Sequence, residues 1–118
     1  MWDAMAIDAL TETVVSRLLV EGESARSVAF GLAGRLAVES PDMPALSLAL
    51  PFTLAAGALE EVLGAGEEAR RAAHDAWRVA ALIGADSLAL RVQSRSDTIA
   101  ALWDAWRHGD EVFRTDTR

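Results

Sequence analysis

The residues of this 118-residue chain best suited to chemistry lie in one stretch, EEARRAAHDAWRVAALIGA, residues 67–85. Wound as a helix at about 100° per residue, it separates Ala69, Ala72, Ala73, Ala76, Val79, Ala80 and Ile83 from an opposite arc of Glu67, Arg70, Arg71, His74, Asp75 and Arg78. The second arc is expected to face water. Arg70 lies one turn before His74, Arg71 three residues before it and Arg78 one turn after, all within side-chain reach. An imidazole can accept and return a phosphoryl group, and guanidinium groups can hold the phosphoryl oxygens and offset the charge that gathers on them during transfer. The plainer alternative is that the whole arc is a solvated surface.

Other chemistries lack their parts. The absence of cysteine removes disulfides, thiolate catalysis and thiolate metal sites together. A carboxylate-bridged metal site in a helical bundle needs Glu-x-x-His pairs facing the core. The residues three before His74 and His108 are instead Arg71 and Ala105, so no metal and no cofactor is expected. His108, following Arg107, is placed to interact with the negative end of a helix dipole.

Composition narrows the partners. Eighteen acidic against eleven basic residues give a formal charge of −7, which disfavours nucleic acid and anionic lipid. Hydrophobic residues make up 52 %, enough for a packed interior, and the length suits one domain. The longest uncharged run, Met43 to Leu59, is broken by Pro44, Pro51 and Gly57 and falls short of the roughly 20 residues that cross a bilayer. The opening MWDAMAIDALTETVV lacks the basic start and apolar block of a secretion signal. A cytoplasmic protein without a membrane segment is the expectation.

Several helices must position the 67–85 stretch. Ile7, Leu10, Val14 and Leu18 predict an amphipathic helix from Trp2 to about Val20, stopped at Gly22. Ser24 can cap a second helix with the stripe Ala25, Val28, Ala29, Leu32 and Leu36. In ALSLALPFTL the alternation of Leu46, Leu48, Leu50, Phe52 and Leu54 suits a strand, with Leu88 to Val92 as its one candidate partner. Its leucine and alanine content favours a helix, kinked or begun at Pro51 and lying at the centre of the molecule. Gly64 to Gly66 end that element, Glu67 opens a fourth helix, Gly84 can close it, and Ser87 can cap a short continuation. Ser96 and Asp97 begin a last helix with Ile99, Leu102, Trp103 and Trp106 on its apolar face, ended by His108 and Gly109. The fold class read from this pattern is all-α, a single-domain bundle of five or six helices over residues 1–118.

The stretch from about Leu59 to Gln93 resembles the histidine-containing phosphotransfer family, four-helix bundles that relay phosphoryl groups between histidine kinases and receiver-domain aspartates. The resemblance rests on LEEVLGAGEEARRAAH ending at His74, followed by Gly84, Ala85 and Leu88 at the family's spacing for a glycine, a small residue and a leucine. It implies that His74 accepts and donates the phosphoryl group, that Arg70, Arg71 and Arg78 hold its oxygens, and that Trp77, Leu82 and Gly84 meet the partner. A receiver domain or histidine kinase is the implied partner, and the receiver would bring magnesium. The family has lysine and glycine three and four residues after its histidine. Here Trp77 and Arg78 stand there, and Arg78 would supply the charge.

The competing expectation is a non-catalytic helical interaction or dimerisation module. The alanines at 69, 72, 73, 76 and 80 suit either a dimer seam or a tight internal contact. Beyond Arg78 the exposed arc turns apolar at Ala81, Leu82 and Ala85, which a loop or a partner subunit must cover. Trp103 and Trp106, with Phe113 beyond, suit core packing or a partner patch.

Overall fold

Asp3 caps the first helix by accepting from the Ala6 amide at 2.9 Å, and α1 then runs from Ala4 to Val15 with Leu10 and Val14 buried. The computed structural model describes residues 2–62 and 66–109. The expected continuation of α1 to Val20 is present but wider: Ser16–Val20 form a π-helical turn, closed by the Glu21 amide on the Ser16 carbonyl at 3.1 Å. Gly22 reverses the chain at φ +70°, a backbone angle with little cost for a residue lacking Cβ. Arg17 clamps that corner through two hydrogen bonds to Glu23, at 2.9 and 2.8 Å.

Helix α2 spans Ala25–Glu39, and all five residues of its expected stripe are buried. Its amino end is capped twice. Ser24 accepts from the Ser27 amide at 3.1 Å, and Asp75, distant in sequence, accepts from the Ala25 amide at 2.7 Å.

The ambiguous 46–54 segment is helical: a 3₁₀ turn, Ala45–Leu48, leads into α3, Ala49–Glu60. Pro51 is the third residue of α3, inside the first turn, where its missing N–H would have had no partner within the helix. The segment is not wholly central. Leu48 and Phe52 are fully buried, whereas Leu46, Leu50 and Leu54, spaced by four, are exposed along one edge. Alternation in the sequence therefore marks two faces of a helix.

Helix α4 runs without interruption from Gly66 to Val92, about 40 Å at 1.5 Å per residue. Gly84 does not close it and Ser87 caps nothing; both lie inside, and Ser87 is buried. Gly64 lies outside the described residues, while Gly66 takes φ +65°. The turn after Val92 brings the chain back, and α5 spans Ile99–Arg107. Its cap is Thr98, which accepts from the Ala101 amide at 3.2 Å, while Asp97 pairs with Arg91 at 3.0 Å. Two donors at the start of α5 are satisfied from the α2–α3 connection, Ile99 N–H by Met43 O at 2.8 Å and Ala100 N–H by Pro41 O at 3.2 Å. At the other end His108 Nδ1 donates to the Asp104 carbonyl at 2.7 Å, the role expected for a helix-end histidine.

These five α-helices form an all-α bundle. The main interface pairs α3 with α4; α1 packs on α3 and α2 on α5. The alanines at 73, 76 and 80 are buried in the hydrophobic core, so this row makes a tight internal contact. Trp106 is buried, and Phe30 lies against both Trp103 and Trp106 at ring-centre distances of 5.8 and 5.3 Å. Phe113 lies outside the described residues. No described helix is long and apolar enough to cross a membrane.

Candidate functional site on the outer face of α4

The buried residues of α4 recur at three- and four-residue steps and leave one continuous outer arc. His74 is exposed on it, with Arg70 exposed one turn earlier. The other two guanidinium groups are engaged elsewhere: Arg71 lies 3.7 Å from Glu67, and Arg78 lies 3.4 Å from Asp75. The arginines therefore surround His74 in sequence without closing a ring around it. Both pairs are well exposed on the arginine side, so their geometry is weakly held.

Asp75 departs from the expected arc. Its carboxylate is turned inward onto the first turn of α2, where the positive end of the dipole and the Ala25 N–H receive it. Beside His74 a groove of about 490 Å³ opens between α4 and the π-turn of α1. Leu18, Leu19 and Ala72 supply its apolar lining, and Glu23, Glu68, Arg71, His74 and Asp75 its polar lining. Two of its three carboxylates are already committed, Glu23 to Arg17 and Asp75 to the α2 cap.

Trp77 leaves His74 open. Its indole N–H donates to Glu60 Oε2 at 2.9 Å, which draws the ring toward α3. Leu82 is half-buried, and Gly84 lies against the α3 side of the bundle. A Cβ added at Gly84 would meet Leu46 Cδ1 at 3.8 Å. Of the three expected partner-contact residues, only Trp77 belongs to the exposed face.

Past Arg78 the outer arc carries no charge until Arg91. Ala81 and Ala85 are exposed, Leu88 is 58 % exposed and Val92 75 %. Leu46, 55 % exposed, sits beside Gly84, and Leu50 and Leu54 extend its row along α3. The two rows form one apolar strip that no described segment covers. The α4 row was legible in the sequence. The α3 row was hidden by the strand-like alternation, and the i, i+4 spacing of Leu46, Leu50 and Leu54 was the signal that could have revealed it.

No protein-family model, curated protein or solved structure matches this chain. The resemblance to histidine phosphotransfer proteins thus stands on residues 59–93 alone.

Proposed function

We propose that this chain is a helical interaction module that docks another protein on the outer face of α4 and the adjoining edge of α3. The observation that carries this reading is the uncovered apolar strip of Leu46, Leu50, Leu54, Ala81, Ala85 and Leu88. Scattered exposed leucines are ordinary, but a contiguous strip on two packed helices is the kind of surface that marks association. A photo-crosslinking residue at Ala85 should give one discrete adduct in cells, while the same group at exposed Glu12 on α1 gives none. Equal labelling from both sites, or from neither, would count against the reading.

A second reading is favoured by the exposure of His74 on the same arc. In it, His74 Nε2 attacks the phosphorus of a receiver's aspartyl phosphate. The P–O bond breaks, the aspartate leaves as carboxylate, and the phosphoryl group rests on the ring until another receiver accepts it. Arg70, exposed one turn before His74, is the guanidinium best placed to meet the phosphoryl oxygens, and the strip that begins about two turns beyond would seat the receiver. Incubation with acetyl phosphate or phosphorylated receivers should add one acid-labile phosphoryl group by intact mass. Its absence from a His74→Gln control would assign the site, and failure with several receivers would remove this reading.

A further inference from the structure

The apolar half of α4 is built to pair with itself. Its small residues, Ala81 and Ala85, come first along the chain and its large ones, Leu88 and Val92, come last. An antiparallel copy centred on this half reverses that order, so Leu88 falls over a small residue while Val92 reaches the edge of the contact, opposite Arg78. A two-fold axis at Ala85 sets Leu88 of each copy over the hollow at Ala81 of the other. Such an interface is isologous and closes at two subunits. Leu46, beside Gly84, lies next to the axis and would extend the contact toward α3.

Electrostatics permit this pairing. Two chains of charge −7 repel at long range, and contact requires a surface from which charge has been withdrawn. Between Val79 and Leu90 the single ionisable residue of α4 is Asp86, and it is buried. The area is also of the right size. With Leu46, Leu88 and Val92 more than half exposed, the strip offers on the order of several hundred Å² of apolar surface, against about 800 Å² in total from each partner of a standard interface. The charged half of α4 before Arg78, with His74, would extend past the carboxyl end of the α4 of the second copy.

We infer that the occupant of the strip is a second copy of this chain, in an antiparallel α4–α4 pairing about a two-fold axis at Ala85. This deepens the docking reading above and rests on it. The test uses the full chain, whose lack of native cysteine gives a clean background. Light scattering across a concentration series should show two chains, and Leu88→Glu should weaken the dimer at least tenfold with helicity unchanged. Ala85→Cys should form a symmetric disulfide under mild oxidation, which requires Cα atoms within about 7 Å. A dimer that ignores Leu88→Glu and gives no disulfide from Ala85→Cys overturns the inference. If instead Ala85→Cys is a monomer and its introduced thiol reacts with maleimide at the rate of a free thiol, the inference is overturned too, but the face is bare for a different protein and the docking reading survives. A monomer whose introduced thiol is protected shows that the chain covers its own strip, and both fall.

Discussion

The indole N–H of Trp106 donates to Asp86 Oδ2 at 2.8 Å, with both residues about 1 % exposed. This bond joins α4 to α5 inside the core. A buried carboxylate is tolerated only with partners, and the indole likewise needs an acceptor once out of water. Asp86→Ala strands that donor and should cost about 2 kcal/mol in urea-induced unfolding. A loss below about 0.5 kcal/mol, the range of neutral surface changes, would show that the bond contributes little.

Asp75 ties α4 to the first turn of α2 through the Ala25 amide. Asp75→Ala should cost about 1 kcal/mol, the usual worth of a helix cap, and Asp75→Asn should recover most of it because an amide oxygen still accepts. Ser24 continues to cap Ser27 in both variants, so helicity should hold. Circular dichroism followed through thermal unfolding reads both quantities.

The Arg17 clamp has a pH signature. Hydrogen bonding from Arg17 holds the Glu23 carboxyl below its ordinary 4.5, more than offsetting the opposing effect of burial. A group with a lowered folded-state pKa contributes stability that is fully present above its unfolded value and is lost as pH falls through its folded value. The gap in stability between wild type and Glu23→Gln should therefore shrink steadily as denaturation is repeated from about pH 6 toward pH 3. A gap independent of pH would mean that the ion pair adds nothing.

Two glycines should respond in opposite directions. At Gly84 an added Cβ reaches Leu46 at an ordinary 3.8 Å, so Gly84→Ala should raise stability by about 0.5–1 kcal/mol through lower backbone entropy in the unfolded chain. At Gly34 the same atom would meet the Trp103 ring at 3.2–3.5 Å, and Gly34→Ala should destabilise by about 1 kcal/mol or more through overpacking. Melting temperatures of the two variants on either side of wild type are the expected result.

Much of the fold was written in local periodicity. The α2 stripe, the Ser24 cap, the His108 helix end and the burial of Trp106 follow from three- and four-residue spacing and from side chains that satisfy free backbone groups. Helix ends were read less well where the deciding partner is remote. Gly84 and Ser87 have the residue types of a stop and a restart, yet α4 passes through both because the packed face of Ile83, Asp86 and Leu90 continues. The exposed position of His74 was equally legible, since it depends only on which arc of α4 is apolar.

What tertiary structure alone decided is where side chains at the margins of that arc find partners. Asp75 sits among the charged residues in sequence but turns inward, because α2 presents its first-turn amide and a positive dipole end there. Arg71 and Arg78 follow the nearest carboxylates, Glu67 and Asp75, since exposed guanidinium groups settle by local attraction. Leu46, Leu50 and Leu54 belong to an apolar segment, and only the packing of α3 across α4 determines which of its faces is buried and which remains open to a partner.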